Sequence, residues 1–221
     1  MLHAPIAAMM LEYGEVVEVD DPQGSYRVRV RLHGYSGAAN QDSEIWARVA
    51  APFAGAGHGA VMLPGVGHQV VVGFVSGDRS YPVVLGALYH GEAQPPDEPV
   101  EGGAVKRWSL KGAGGTHVLL DESRSSEIVL ETSGGVRVTV SDEGTKAEVT
   151  DGSSTVTVDP AGVSVRTGAQ VKVDAATVEV NSGSVTVNAA VSNFSGVVRC
   201  DVLQTNTVVS TTYTPGAGNI W

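Results

Sequence analysis

The C-terminal half of the chain alternates valine with small polar residues in a short repeated pattern. Between residues 155 and 191, five Val-x-Val pairs begin seven or eight residues apart, and Asp, Asn, Gly, Ser, Thr or Ala fill the gaps. Alternation places both valines of a pair on one face of a short strand, and the small polar residues turn the chain. A unit this small cannot bury its apolar face alone, so the pattern predicts copies stacked in a β-solenoid or an intertwined β-helix.

The N-terminal part of the chain has a different pattern, with longer strands and firm turn signals. Residues 26–32 alternate strictly, with Tyr26, Val28, Val30 and Leu32 on one face and three arginines on the other. Five antiparallel strands in so short a stretch predict a small closed barrel of the OB type, which leaves no strand edge exposed. The predicted strands are residues 14–19, 26–32, 45–51, 69–75 and 82–89.

A change of composition separates the two patterns. Residues 94–99 read Gln-Pro-Pro-Asp-Glu-Pro, which is typical of a linker between domains. We therefore predict an all-β chain with a domain boundary at this point. The predicted divisions are an N-terminal segment at 1–11, an OB-fold domain at 12–92, a Pro-rich linker at 93–104, a β-helix needle at 105–212 and a C-terminal segment at 213–221.

The short repeat favours three chains over one. A parallel β-helix made by one chain usually spends about 20 or more residues on each coil. Here the chain turns after seven or eight residues, and the inward positions are nearly all valine. Three chains around a common axis would each supply one wall of a prism, for which stiff β-branched side chains are well suited. A monomeric β-roll and a disordered Thr/Ser-rich tail are the alternatives. The expected trimer core comprises Val156, Val158, Val163, Val165, Val171, Val173, Val178, Val180, Val185, Val187, Cys200 and Val202.

Charge and composition exclude several classes of function. The 221 residues carry a formal net charge of −10, which repels phosphate backbones and argues against binding of nucleic acid. With Cys200 as the single cysteine, no disulfide can form within the chain. The opening residues lack the basic flank of a signal peptide, and no stretch approaches the length of a membrane span. We therefore expect synthesis in the cytoplasm and no stable membrane anchoring.

The sequence contains no recognisable constellation for catalysis or metal binding. Its six histidines are scattered, without a His-x-His pair or an H-E-x-x-H motif. The acidic residues near the N-terminus follow an alternating strand and turn, which is typical of a solvated face and not of a pocket with two carboxylate environments. We predict no catalytic, cofactor-binding or metal-binding residue, and hence a protein that is not an enzyme.

Six segments of the N-terminal part carry a resemblance to a known family. Residues 1–90 resemble the OB-fold module of phage baseplate assembly protein V, of tail-lysozyme spikes and of the valine-glycine-repeat (VgrG) spikes of type VI secretion. The valine repeats stand where that family has its needle. The matching segments are Tyr26-Arg27-Val28-Arg29-Val30, Trp46-Ala47-Arg48-Val49, Pro52-Phe53-Ala54-Gly55, residues 62–74, Gly77-Asp78 and residues 82–89.

The resemblance implies the homotrimeric central spike of a contractile injection system, which pierces a target envelope when the sheath contracts. It implies three partners besides the chain itself: a trimeric hub, a PAAR-type tip protein and, through the hub, the inner tube. No hub domain precedes the barrel and no lysozyme or effector domain is visible, so we expect a minimal spike with a separate hub protein. Such a spike would be assembled in a baseplate and delivered across the target envelope on firing.

Both ends of the chain are candidates for contact with these partners. Three copies of the C-terminal segment could close the needle and seat the tip protein, through Tyr213, Pro215, Ile220 and Trp221. A disordered tail is the alternative. Residues 2–11 could contact the hub or simply pack on the barrel. A different function also stays open, namely an OB-fold module on a β-repeat stalk that recognises glycan or nucleic acid.

Overall fold

The chain is all-β in the part that the computed structural model describes, which comprises residues 10–35, 44–144 and 146–212. Within these ranges the only helical elements are two short 3-10 turns, His33–Tyr35 and Val75–Gly77. No described helix is long and apolar enough to cross a membrane. The chain divides into two compact units, Met1–Val171 and Lys172–Trp221. The prediction of an all-β fold is confirmed.

Five strands near the N-terminus form a closed barrel, which confirms the predicted OB-type architecture. Around the barrel the strands follow the order β1, β2, β3, β7, β6. A small hairpin of two-residue strands, β4 (Ala54–Gly55) and β5 (His58–Gly59), lies in the connection between the third and fourth barrel strands of the sequence. The barrel strands are β1 (Met10–Glu18), β2 (Arg27–Leu32), β3 (Glu44–Val49), β6 (Gln69–Phe74) and β7 (Pro82–Ala87).

The barrel closes through one parallel pair of strands. Strand β1 pairs antiparallel with both β2 and β6, whereas β3 and β7 run parallel, with Arg48 opposite Val83. The expectation of five antiparallel strands is wrong at this pair, for a geometric reason. Strands in a closed ring can alternate in direction throughout only if their number is even, so a ring of five must contain a parallel pair.

The barrel interior is filled by the alternating apolar positions of its strands. Val28, Val30 and Leu32 of β2 are buried, and the arginines between them face outward, as the sequence predicts. The expected inward position of Tyr26 is wrong, because its φ of 55° lies in the left-handed region and ends the strand pattern. Its side chain is consequently 77% exposed. The buried core comprises Val16, Val28, Val30, Leu32, Ala47, Val70, Val72, Phe74 and Val84.

A second sheet follows the barrel and consists of seven strands that pair only with their neighbours in sequence. A small hairpin of β8 (Val100–Glu101) and β9 (Ala104–Val105) precedes it. All neighbouring strands of the sheet run antiparallel, so the sheet is a simple meander. The strands are β10 (Arg107–Lys111), β11 (His117–Asp121), β12 (Glu127–Glu131), β13 (Arg137–Ser141), β14 (Lys146–Thr150), β15 (Ser154–Asp159) and β16 (Gly162–Thr167).

The first two Val-x-Val pairs of the repeat lie in the last hairpin of this sheet. Val156 pairs with Val165 and Val158 with Val163 across β15 and β16. A two-residue turn joins the strands, because Asp159 Oδ1 accepts hydrogen bonds from the backbone N–H groups of Ala161 at 2.8 Å and Gly162 at 3.1 Å. The repeat therefore begins inside the meander.

The second unit has a regular path without regular secondary structure. Its described residues, 172–212, form no strand and no helix. Bends in the backbone recur at residues 176, 183, 190, 196, 201, 206 and 211–212. The bends are thus seven residues apart as far as residue 190 and five apart from residue 196. This periodicity continues the repeat that the sequence shows, with shorter steps toward the C-terminus.

Candidate functional site

One face of the seven-stranded sheet is apolar except at one end of the last hairpin, where Ser154 pairs with Thr167. Each strand contributes two residues, separated by one position, and the register aligns them in two rows that cross all seven strands. We call this surface the apolar face. The first row comprises Trp108, Leu120, Ile128, Val140, Ala147, Val158 and Val163, and the second Leu110, Val118, Leu130, Val138, Val149, Val156 and Val165.

The apolar face is uncovered in the single chain. Trp108 is 47% exposed, Leu130 46% and Val165 55%, and eleven of the fourteen side chains are at least 40% exposed. Of the other three, Ala147 is exposed, and Val118 and Val138 are partly buried. Monomeric soluble proteins rarely expose contiguous apolar patches of more than a few hundred Å², and larger patches mark interaction sites. Burying one large apolar side chain that is half exposed contributes about 1 kcal/mol, so the eleven such side chains supply on the order of 10 kcal/mol for each chain. The apolar face is therefore a candidate interaction surface whose burial would contribute substantially to the free energy of association.

The opposite face of the sheet is lined by ion pairs and is suited to water. Arg107 lies 2.9 Å from Asp121, and Arg137 contacts Glu131 at 3.4 Å. These long side chains flank a central row in which Val129 is 2% exposed, so their apolar stems shield that row. The two faces of the sheet thus differ in character: the few apolar residues of the ion-paired face are shielded within the chain, whereas those of the apolar face are exposed.

The segment that joins barrel and sheet is fastened to the first strands of the sheet. His117 and Asp97 approach to 2.9 Å, and the Arg107 guanidinium donates to the carbonyl oxygen of Glu98 at 3.1 Å. Burial disfavours the charged form of Asp97, but hydrogen bonds from Ser109 and His117 outweigh it and hold the pKa of Asp97 below its ordinary value. These contacts fix the predicted linker on the first strands of the sheet.

The ion pair at the start of the sheet makes stability sensitive to acid. Hydrogen bonds from Ser123 and then Arg107 lower the pKa of Asp121 to about 2 from the ordinary 3.8. Because the folded-state pKa is depressed, the stabilisation is complete above about pH 4 and is lost as the pH falls through 2. We expect Asp121→Asn to lower the melting temperature at pH 6 and to reduce its fall between pH 4 and 2.

Thermal unfolding followed by circular dichroism at a series of pH values measures this effect. Glu122→Gln serves as the control, because it removes the same charge from an exposed neighbouring position. An Asp121→Asn profile parallel to that of the unaltered chain would contradict the role assigned to Asp121.

The expected trimer-core residues beyond the sheet lie on an exposed backbone that has no strand partner. Val171, Val178 and Val185 are 62%, 65% and 66% exposed, and Cys200 is also exposed. Extended backbone carries N–H and C=O groups that must find hydrogen-bond partners when they are buried. The remaining members of this set are likewise exposed: Val173, Val180, Val187 and Val202. In the single chain, this segment therefore exposes both its apolar side chains and its backbone to water.

Sequence reasoning missed the ten apolar-face residues that precede Val156. Their signal was present, since apolar pairs such as Trp108 and Leu110 show the same alternation as the valine pairs. The pairs begin at residues 108, 118, 128, 138 and 147, so the step is nine or ten residues and not seven. The longer step reflects longer hairpin turns, such as Lys111 to His117 between β10 and β11.

Several predicted contact residues lie outside the part of the chain that the structure describes. They are Tyr213, Pro215, Ile220 and Trp221 at the C-terminus, and residues 2–9 at the N-terminus. Of the predicted N-terminal segment, only Met10 and Leu11 are described, and they begin β1. Within the described ranges, no three His, Cys, Asp or Glu side chains come together in a way that could hold a metal ion.

Comparison with known families agrees with both halves of the fold. Residues 13–89 match the family described as the type VI secretion system/phage-baseplate injector OB domain. Residues 110–188 match the phage baseplate V C-terminal trimerisation domain. A barrel of this type followed by a trimerising β-domain defines a spike-type component of an injection apparatus. Residues 13–89 therefore belong to the injector OB-domain family, and residues 110–188 to the family of baseplate V trimerisation domains.

Similar proteins include several spikes of type VI secretion systems. The chain is 37% identical over 94 residues to the type VI secretion system spike protein VgrG5 of Pseudomonas aeruginosa, a match that covers 41% of this chain and 12% of VgrG5. It is 35% identical over 91 residues to the spike protein VgrG3 of Vibrio cholerae, covering 41% of this chain and 9% of VgrG3. The actin cross-linking toxin VgrG1 of Vibrio cholerae is 33% identical over 91 residues, covering 41% of this chain and 8% of VgrG1. The match thus spans about a tenth of each relative.

Proposed function

We propose that this chain forms the homotrimeric central spike of a contractile injection system. The observation that carries the proposal is the apolar face, which extends across all seven strands of a domain that matches a trimerisation family. In the proposed trimer, three apolar faces turn inward around a threefold axis and the three ion-paired faces turn to water. This arrangement buries fourteen apolar side chains of each chain and desolvates no charge of the ion-paired face.

The proposal also accounts for residues 168–212, which form no strand in the single chain. Three copies of this segment would wind around one another as an intertwined triple-stranded β-helix. The N–H and C=O groups of each copy would then pair with its neighbours, and the bends at intervals of seven and five residues would form the corners. The interior wall would comprise the Val-x-Val pairs, Cys200 and Val202. Closure around the axis would also leave no lateral strand edge open to unwanted pairing.

The work of this spike is mechanical and not enzymatic. The barrel would meet a separate trimeric hub, and through it the inner tube, with residues 1–11 as a candidate contact. Residues 213–221 would seat a PAAR-type tip protein through Tyr213, Pro215, Ile220 and Trp221. The spike would be assembled in the baseplate of a phage tail or injection particle and driven through a target envelope on firing. Purified trimer should accordingly show no hydrolysis of cell-wall polymers.

The proposed joining role is tested by removing the C-terminal segment. We expect a chain lacking residues 213–221 to stay trimeric in light scattering but to lose binding to a PAAR-type protein from the same organism, measured by isothermal titration calorimetry. Removal of residues 1–9 is the matched control, since it deletes the same number of residues from the other terminus, and it should leave tip binding unchanged. Unaltered tip affinity after removal of residues 213–221 would refute the proposed seat. A full chain that stays at 22.8 kDa in solution would refute the trimeric spike itself.

A further inference from the structure

The outer surface of the barrel carries a groove that the spike function does not use. Its volume is about 460 Å³, and it lies over β2, β3 and β7. Two loops border it, residues 19–26 between β1 and β2 and residues 75–81 between β6 and β7. Proteins with an OB fold bind oligonucleotides and oligosaccharides at the corresponding place, on strands two and three between the first and last of these connections.

Both bordering loops are held in place by their own hydrogen bonds. In the first loop, the Asp21 carboxylate accepts from the backbone N–H of Ser25 at 2.9 Å and from the Arg27 guanidinium at 2.7 Å. In the second, the Asp78 carboxylate accepts from the backbone N–H of Ser80 at 2.8 Å. The groove is therefore bordered by preorganised walls, which reduces the entropy lost on binding a ligand.

The backbone of these loops is also unusual. Among the described residues, Tyr26 and Ser76 are the two non-glycine positions with positive φ, both at 55°. One lies in each bordering loop. Such conformations are sparsely populated for residues with a side chain, and they cluster at binding sites where the surrounding structure fixes them. Neither residue lines the groove itself, but each adjoins a residue that does, Ser25 and Val75 respectively, so both bordering loops hold a sparsely populated backbone conformation.

The groove is lined by an arginine that has no ion-pair partner among the described residues. Arg27 of β2 pairs directly across from Arg48 of β3, so two like charges lie side by side. Asp21 neutralises Arg27, whereas exposed Arg48 forms no ion pair with any described residue. In a chain with a net charge of −10, this guanidinium offers a local site for an anion. Its planar pair of donors matches the geometry of a carboxylate.

Aromatic and neutral polar groups complete the lining. The ring of Tyr81 is 62% exposed at one side of the groove. Trp46 lies in its floor, with the Arg27 guanidinium carbon 5.5 Å from the ring centroid. Gln23 and Ser25 add an amide and a hydroxyl that can donate and accept hydrogen bonds. One cation, an amphipathic ring and several neutral donors suit a ligand with one carboxylate, a ring to pack against and many hydroxyls.

We propose that this groove binds an acidic oligosaccharide, with Arg48 paired to a sugar carboxylate and Tyr81 packed against a sugar ring. A nucleic acid would require a row of unpaired cations along its phosphates, and among the arginines of this surface Arg27 and Arg29 are already paired with Asp21 and Glu18. A folded protein partner would bury about 800 Å² on a broad surface, whereas a concave site of this volume is of small-ligand size. The proposal requires neither the trimer nor the tip contact.

Isothermal titration of the full-length protein with tetragalacturonate tests the proposal. We expect saturable binding that weakens about tenfold to a hundredfold in Arg48→Gln, the range for loss of a charge-assisted hydrogen bond. Tyr81→Ala should weaken binding by a similar factor. Both side chains are exposed, so neither change should disturb the fold. Arg124→Gln and Tyr89→Ala, at exposed positions outside the groove, are the matched controls and should bind as the unaltered protein does.

Titrations with three further ligands test whether the groove is specific for an acidic oligosaccharide. Cellotetraose, which lacks the carboxylates, should bind at least about tenfold more weakly than tetragalacturonate. Equal or tighter binding of oligothymidylate or of tetraglutamate would overturn the proposal in favour of a general anion site. Absence of tetragalacturonate binding, or equal loss in the control variants, would also overturn it. Because light scattering on the same samples reports the trimer separately, failure here is distinguishable from failure of the spike function.

Discussion

Two aspartates placed on the apolar face should dissociate the trimer. Val156 and Val165 are cross-strand partners on that face, and both are exposed in the single chain. The double variant Val156→Asp/Val165→Asp would bring six carboxylates into the interior of the proposed trimer. Removing an unpaired charge from water costs several kcal/mol, so we expect the association constant to fall by more than about a thousandfold. Light scattering or native mass spectrometry at micromolar concentration should then detect a monomer.

The same two strands provide a matched control. Thr157 and Ser164 are cross-strand partners on the ion-paired face of β15 and β16. Thr157→Asp/Ser164→Asp introduces the same charges, again as a cross-strand pair, but on the face that is proposed to meet water. This control should stay trimeric. Dissociation of both variants to the same extent would mean that the two faces do not differ in their role.

Trimer formation should also protect the backbone amide hydrogens of residues 168–212 from exchange with solvent. In the single chain these residues form no strand, so their amides should exchange rapidly. In the trimer, hydrogen bonds between chains should slow exchange of peptides from this segment by at least about a hundredfold. The Val156→Asp/Val165→Asp variant should abolish that protection. Hydrogen exchange followed by mass spectrometry measures both states directly.

Peptides from the barrel serve as the internal reference in this experiment. Strand β6 is bonded on both sides within one chain, to β1 and to β7, so its protection should be the same in the unaltered protein and in the variant. Fast exchange of residues 168–212 in a verified trimer would contradict the intertwined β-helix. Loss of protection in β6 as well would indicate that the aspartates unfold the whole chain.

Much of the barrel could be predicted from the sequence, because its strands and turns are determined by residues that are close together in the chain. The alternation of apolar and polar residues, as around Val28 and Val30, indicates which side of a strand is buried, and Pro, Gly and Asp indicate the turns. The parallel pairing of β3 with β7 is not a local property, since it follows from closing a ring of five strands. Tyr26 escaped prediction because a left-handed backbone conformation leaves no trace in the hydrophobic pattern.

The interaction surfaces were harder to predict. The valine pairs were recognisable because their step is constant, whereas Trp108 and Leu120 belong to a surface that exists only once the hairpins are paired in register. The groove at Arg48 depends on two loops that are distant in sequence and on whether Arg27 has an acidic partner. Both surfaces depend on which residues lie close together in the folded chain, and composition and periodicity do not reveal this.

The pairing of each meander strand with its sequence neighbours determines how assembly can begin. Contacts between adjacent hairpins close only short loops, and chains dominated by such local contacts fold quickly. The sheet can therefore form in a chain that has not yet met its partners, and it presents the apolar face early. Residues 168–212 have no such independent route. We expect the association of three preformed sheets to be slow and dependent on concentration. The β-helix should then form from the sheet toward the C-terminus, and it should not begin to form at the C-terminal end.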